Sequence, residues 1–155
     1  MSHPIVILGT GLAGFTLARE LRKLDTATPL VIVSRDQAGF YSKPMLSNAL
    51  AGKKTAASLV MKPAEKMAAE LSATLRASAV VARIDTGAQV VELDGGEVIA
   101  YRDLVLALGA DPIRVPLGGD GADDVLSVND LDDYARFAER LEGVKSVENK
   151  LAVKP

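Results

Sequence analysis

The chain opens with a strand, a glycine-rich turn and an amphipathic helix. Ile5–Leu8 is a run of aliphatic residues, typical of a strand that is buried on both faces. Over residues 15–24, apolar side chains recur at helical spacing among charged ones. A second apolar run, Leu30–Val33, follows closely, so this part of the sequence predicts a parallel βαβ unit with a right-handed crossover.

Later segments predict further elements around this unit. Residues 57–71 contain a helical stretch, in which Met61 is expected to face inward and Pro63 suits the first turn. A second helical pattern occupies residues 131–141, and Asn129 or Asp130 can cap it. Short extended segments at 89–93 and 97–100 flank a glycine-rich turn and predict a β-hairpin. The apolar run 104–108 predicts another buried parallel strand. Together these patterns predict an α/β fold with a central parallel sheet and a small antiparallel hairpin layer.

The turn after the first strand has the G-x-G-x-x-G pattern of dinucleotide-binding folds. Gly9 allows the tight turn, Gly11 lets a pyrophosphate approach the backbone, and Gly14 lets the helix pack closely on the strand. The helix N-terminus adds unpaired N–H groups and the positive end of the helix dipole. This context predicts a bound dinucleotide; the alternative is a βα turn that binds nothing.

An acidic residue follows the second predicted strand, about 20 residues beyond the glycines. Asp36 stands where a carboxylate can accept hydrogen bonds from the ribose hydroxyls of an adenosine. Its neighbour Arg35 could stack on the adenine or contact a phosphate. A solvated loop carboxylate or a turn residue is the alternative interpretation of Asp36, and the spacing leaves these open.

Composition narrows the choice of partner. The 155 residues suit one domain, the hydrophobic share of 48% is ample for a core, and the net charge is −2. This charge gives no reason to expect nucleic acid or an anionic membrane as a partner. The sequence has no apolar run near the ~20 residues of a membrane span and no secretory signal, so we expect a cytoplasmic location.

The sequence has few side chains that serve as nucleophiles or metal ligands. The chain has no cysteine, which excludes disulfides, thiolate nucleophiles and cysteine-based metal sites, and its one histidine is His3 near the N-terminus. We therefore predict no catalytic side chain and no metal ligand. Any redox chemistry has to be supplied by a bound cofactor.

Three segments resemble a known family. Residues 6–14, 41–47 and 103–112 are similar, in this order and spacing, to the FAD domain of the pyridine-nucleotide-dependent flavoprotein reductases. The likeness extends through 113–116 and 129–137, covers about residues 4–142, and is nearest to members that reduce rubredoxin. It implies a Rossmann-like FAD-binding domain of an oxidoreductase in which NADH is the hydride donor.

The resemblance also implies which residues hold FAD and which branch of the family applies. The implied FAD contacts are Gly9, Thr10, Gly11, Leu12, Ala13 and Gly14 at the pyrophosphate, Arg35 and Asp36 near the adenosine, Val81 at the adenine, and Lys43, Ala107 and Gly109 near the flavin. A cation such as Lys43 can stabilise the anionic reduced ring, although a solvated loop lysine is the alternative. Where related disulfide reductases carry Cys-x4-Cys, this chain has Ser42 and Ser47, which cannot form a disulfide. The implied acceptor is therefore a one-electron protein carrier, rubredoxin-like or ferredoxin-like.

The chain departs from the family pattern in three ways. Leu108 stands where the family usually has threonine. The family's second nucleotide fold, which binds NADH, and its returning sheet strand are not found in this sequence, so we expect residues 1–142 to be a truncated FAD-binding domain. Residues 143–155 faintly resemble the closing strand of a BON-type repeat and are expected to be a tail of other origin. The open sheet edge would favour self-association. An isolated nucleotide-binding module, or an engineered fragment without turnover, is the alternative function.

Overall fold

The structure is a computed structural model, and it describes residues 3–142 and residue 144. Within these residues, seven strands, five α-helices and two short 3₁₀ turns follow one another. In chain order they are β1 (Ile5–Leu8), α1 (Leu12–Leu24), β2 (Leu30–Val33), a 3₁₀ turn (Lys43–Met45), α2 (Leu46–Ala49), α3 (Ala56–Leu59), α4 (Ala64–Leu71), β3 (Thr74–Arg76), β4 (Val81–Asp85), β5 (Val90–Leu93), β6 (Val98–Ala100), β7 (Asp103–Leu106), a second 3₁₀ turn (Ala122–Asp124) and α5 (Leu131–Leu141).

The central sheet is parallel and has the strand order β3-β2-β1-β7. Val6 of β1 is aligned with Val31 of β2 on one side and with Leu104 of β7 on the other. All four residues of β1 are buried because both faces of the sheet are covered. The predicted α/β class, the βαβ unit and the parallel sheet are confirmed.

One face of the parallel sheet is covered by α1 and α4. Phe15 and Ala18 of α1 and Met67 of α4 are fully buried against the sheet. The apolar periodicity of residues 15–24 is nevertheless wider than the buried stripe. Leu24 is 89% exposed, because the last turn of α1 meets no neighbouring element that covers it within the described residues.

The other face is covered by an antiparallel sheet in the order β4-β5-β6. The predicted hairpin is confirmed as β5 and β6, which are joined by the turn around Gly95 and Gly96. The prediction was incomplete, because β4 pairs with β5 as well and makes a three-stranded layer. Val91 of β5 is fully buried against the central sheet.

Two sequence predictions about burial are wrong. The helical stretch expected within residues 57–71 is present as α4, but residues 60–63 form a non-helical break between it and the short helix α3, and Lys62 in this break forms a β-bridge with Phe40. Met61 lies in this break and is 62% exposed rather than inward. The apolar run 104–108 is not fully buried either. β7 is an edge strand among the described residues, and Leu106 is 60% exposed.

Helix α5 packs on α2 and α3 in a separate apolar cluster. The Asp130 side chain caps it by accepting a hydrogen bond from the N–H of Asp133 at 2.8 Å. Tyr134 is 2% exposed, and its hydroxyl donates to the carbonyl of Lys54 at 2.6 Å. In the described part of the chain, no helix is both long and apolar enough to span a membrane. The tail predicted for residues 143–155 lies outside the described residues, apart from residue 144.

Candidate functional site

A large cavity opens where β1, β2 and β7 end. Its volume is about 1520 Å³, above the ~300–1,000 Å³ of pockets that hold drug-sized ligands. The strands on the two sides of β1 are β2 and β7, so the strand order changes direction at β1. Open α/β sheets bind their ligands at such a switch point, beyond the carboxyl ends of the strands. All of the site residues predicted from the sequence line this cavity except Gly14.

The three glycines of the turn have different surroundings. Gly9 has φ +113°, and a Cβ there would overlap the carbonyl oxygen of Ala107. A Cβ on Gly14 would overlap the carbonyl oxygen of Gly9, so α1 approaches the end of β1 as closely as backbone atoms allow. A Cβ on Gly11 would meet no protein atom within 4 Å. The backbone at Gly11 is therefore open to the cavity that it lines.

The N-terminus of α1 points its free N–H groups toward this open space. Gly11 is the N-cap residue, so no side chain caps the helix, and the first turn contains no acidic residue. The N–H groups of Leu12, Ala13 and Gly14 precede the first intrahelical hydrogen bond, which Phe15 donates to the carbonyl of Gly11 at 3.1 Å. Unpaired N–H groups at the positive end of a 13-residue helix suit an anion such as a phosphate.

Arg35 lies at the mouth of the cavity and is paired with Asp111. Its Nη2 is 2.8 Å from Oδ1 of Asp111, and the two side chains are 60% and 70% exposed. The hydrogen bond from Arg35, its positive charge and the more distant Lys43 together hold the pKa of Asp111 below its usual value. The pair connects the end of β2 with the segment after β7. It therefore crosses the end of β1, where the glycine-rich turn begins.

Asp36 is half-buried beside this turn, and Val81 lies on the antiparallel sheet that faces it. Oδ1 of Asp36 accepts a hydrogen bond from the N–H of Ala38 at 2.8 Å. Val81 begins β4 and is paired with Leu93 of β5. Its backbone is thus fixed by the second sheet, while its side chain packs against the apolar cluster between the sheets.

Lys43, Ala107 and Gly109 line the cavity from two loops. Lys43 opens the 3₁₀ turn before α2, and its side chain is exposed. Ala107 continues the β7 ladder, since its N–H donates to the carbonyl of Leu8 at 2.8 Å. Gly109 follows with φ +72°, which glycine adopts without the strain that other residues incur.

Several cavity residues were not predicted from the sequence, and five of them bring polar or aromatic groups: Ser34, Tyr41, Asn129, Tyr134 and Phe137. Burial, together with the charges of Asp36, Asp130 and Asp132, raises the pKa of Tyr41 to about 12. Its phenol therefore stays protonated at neutral pH and can donate a hydrogen bond. Tyr41 lies in the second resembling segment and could have been found there. The residues of α5 carry only a helical periodicity, which does not indicate a ligand.

A glycine-rich βα turn at the reversal point of a parallel sheet, open to a large cavity, defines a dinucleotide-binding domain. The sequence profile of the pyridine nucleotide-disulphide oxidoreductases matches residues 3–153. The chain belongs to this family. The resemblance found in the sequence is thereby confirmed.

Individual relatives agree with this assignment. The chain is 48% identical over 145 residues to the rubredoxin-NAD(+) reductase of Alcanivorax borkumensis and 46% identical over 142 residues to that of Acinetobacter baylyi. These alignments cover 94% and 90% of this chain but only 38% and 36% of the relatives. Among solved structures, NADH:rubredoxin oxidoreductase from Clostridium acetobutylicum superposes with a TM-score of 0.73 at 26% identity, over 92% of this chain and 36% of the other.

Proposed function

We propose that this chain is the FAD-binding part of an NADH-dependent flavoprotein reductase that passes electrons to rubredoxin or a similar one-electron carrier. The observation that carries the proposal is that one cavity is lined by the glycine-rich turn, by Asp36 and by Lys43. The names of the two relatives with 48% and 46% identity support the choice of reaction. An isolated nucleotide-binding module without turnover is the second candidate function.

The residues present fit FAD. The free N–H groups at the start of α1 and the guanidinium of Arg35 suit the negative pyrophosphate, and Asp36 can accept hydrogen bonds from ribose hydroxyls. The volume of about 1520 Å³ leaves room for a second ring system beyond the adenosine. NAD has the same adenosine half, so the choice of FAD depends on the family relationship.

FAD, when bound, can accept a hydride and release the two electrons one at a time. The chain's own residues would bind and orient this group. Lys43 would place a positive charge near the flavin, and Ala107 and Gly109 would line it through their backbones. The cavity walls from α5, including Tyr134 and Phe137, would reduce its contact with water.

The NADH site and the acceptor surface are assigned in this proposal to the longer chains of the relatives. The chain spans 38% of the Alcanivorax borkumensis relative, and the structure describes one glycine-rich βα turn among residues 3–142. We propose that NADH binds to a part of the relatives that this chain does not match. The cytoplasmic location stays a prediction from the sequence.

Titration with FAD tests the proposed function. We expect the purified chain to bind FAD with one-to-one stoichiometry, measured by quenching of flavin fluorescence and by a shifted flavin absorption spectrum. Addition of NADH to this complex should bleach the flavin slowly or not at all. A chain that neither retains nor takes up FAD would contradict the proposal. Rapid stoichiometric bleaching by NADH would instead show that the hydride donor binds here.

We also propose that the open edge of β7 allows self-association. Among the described residues, no strand pairs with its outer edge, and Leu106 on this strand is 60% exposed. We expect a concentration-dependent increase in sedimentation coefficient for the unaltered chain, and a weaker one for Leu106→Lys, because an edge charge opposes strand pairing. Leu24→Lys is the control, since Leu24 is 89% exposed on α1. Equal association by both variants would count against the edge.

A further inference from the structure

Two buried hydroxyls connect the glycine-rich turn with Asp36. The side chains of Thr10 and Ser34 are among the few buried polar groups of the structure, with residue exposures of 7% and 6%. Oγ1 of Thr10 lies 2.7 Å from Oγ of Ser34, which in turn lies 2.7 Å from Oδ1 of Asp36. The three residues belong to β1's turn and to the end of β2, and all of them line the cavity.

The distances fix the direction of these hydrogen bonds. A carboxylate oxygen accepts, so the single hydroxyl hydrogen of Ser34 is donated to Oδ1 of Asp36. Because that hydrogen of Ser34 is already donated, Thr10 is the donor in its hydrogen bond with Ser34 at 2.7 Å. Oδ1 of Asp36 is a more distant acceptor for Thr10, at 3.4 Å. The result is a chain of donors that runs from Thr10 through Ser34 to Asp36. No donor is left unpaired in it.

This chain of hydrogen bonds is held at a rigid point. The N–H of Ser34 donates to the carbonyl of Arg76, and the carbonyl of Ser34 accepts from the N–H of Ala79, both at 2.8 Å. Oδ1 of Asp36 accepts from the N–H of Ala38 as well as from Ser34. Within the described residues, Oδ2 of Asp36 has no such partner, so it is the oxygen available to a ligand.

We propose that Ser34 is a positioning residue for the adenosine half of the dinucleotide. It orients the carboxylate of Asp36, leaving Oδ2 for the ribose hydroxyls, and it holds Thr10, so the turn that receives the pyrophosphate is set before the ligand binds. The inference rests on the proposed FAD site and adds Ser34 and the Thr10 side chain to it. Neither hydroxyl has to touch the ligand for this role.

Calorimetric titration with FAD and with ADP tests the inference, because ADP carries the adenosine and the pyrophosphate but no flavin. We expect Ser34→Ala and Thr10→Val each to weaken the binding of both probes by about tenfold, the usual scale for a lost hydrogen bond in a charge-assisted network. Thr10→Ser keeps the hydroxyl and should recover most of the affinity that Thr10→Val loses. Ser58→Ala is the matched control, because Ser58 has an exposed hydroxyl that donates to the Thr55 carbonyl on α3.

Coupling between the two positions separates positioning from a general loss of stability. If the two hydroxyls act as one hydrogen-bonded unit, the double variant Thr10→Val/Ser34→Ala should bind FAD about as weakly as either single variant. Circular dichroism checks that each variant is folded at the temperature of titration. Should Ser34→Ala not fold, the comparison of Thr10→Val with Thr10→Ser still tests whether the hydrogen bond between Thr10 and Ser34 affects the affinity for FAD and ADP.

The outcomes distinguish the two proposals. Unchanged affinities in Ser34→Ala and Thr10→Val, additive losses in the double variant, or a loss for FAD without a loss for ADP would each overturn the positioning role alone. A failure of the unaltered chain to bind FAD would overturn the proposed function, and the positioning role with it.

Discussion

Replacing Gly11 with alanine should greatly weaken FAD binding and leave the fold intact. The backbone of Gly11 has φ −67° and ψ −176°, which alanine adopts without strain, and a Cβ there would meet no protein atom within 4 Å. The added methyl group would instead occupy the space through which a pyrophosphate approaches the turn. An overlap that costs ~1–3 kcal/mol corresponds to a loss of about 5- to 150-fold in affinity.

The experiment compares FAD affinity with thermal stability in the same variant. Alanine is a poorer N-cap residue than glycine, so the free energy of unfolding without FAD should fall by no more than about 1 kcal/mol. Gly95→Ala is the matched control, because a Cβ on Gly95 also meets nothing within 4 Å but lies in the β5–β6 turn. Undiminished FAD binding by Gly11→Ala would show that the ligand does not approach this backbone.

The central part of this site could be predicted because it is local in sequence. β1, the glycine-rich turn and α1 are contiguous, so the pattern of Gly9, Gly11 and Gly14 already specifies how closely the chain approaches itself. The position of Asp36 after β2 follows from the parallel pairing of β1 with β2. Apolar runs long enough to be buried on both faces indicated these strands without any knowledge of the rest of the fold.

Contacts between distant segments could not be predicted in this way. Arg35 and Asp111 are 76 residues apart, and only the placement of β2 and β7 on either side of β1 brings them together. The same holds for exposure. Leu24 and Leu106 have the periodicity or the neighbours of buried residues, but whether another element covers them is decided by the topology, which periodicity does not report.

The buried hydroxyl of Ser34 illustrates a further limit. A serine after a strand is common in loops, and nothing in its sequence position distinguishes a solvated hydroxyl from one that is 6% exposed and hydrogen-bonded to a carboxylate. Its environment depends on β3 and on the segment that follows it, whose backbone groups bind the backbone of Ser34. Buried residues that hold a ligand-facing side chain in place can therefore be recognised only once the packing is known.

Replacing Gly14 with alanine should have the opposite consequence to the change at Gly11, although the two residues lie in the same turn. In an ordinary helix interior, alanine is favoured over glycine by ~1 kcal/mol. Here the new Cβ would overlap the carbonyl oxygen of Gly9 and lie 3.6 Å from the Cβ of Ala107. The carbonyl cannot easily turn away, because Gly9 is held between β1 and the turn and its N–H donates to Val33 at 2.8 Å.

Relief of that overlap requires α1 to move off the sheet, which would separate Phe15 and Ala18 from the core that they fill. We expect a loss of about 3 kcal/mol in the free energy of unfolding, near the upper end of the usual cost of overpacking. In a domain of this size, that loss corresponds to a decrease of roughly 10 °C in Tm. Circular dichroism of the FAD-free chain measures it, with Gly11→Ala as the control within the same turn. A Gly14→Ala variant that melts at or above the temperature of the unaltered chain would show that α1 has room to shift, and that the close approach of helix and strand is not required for the fold.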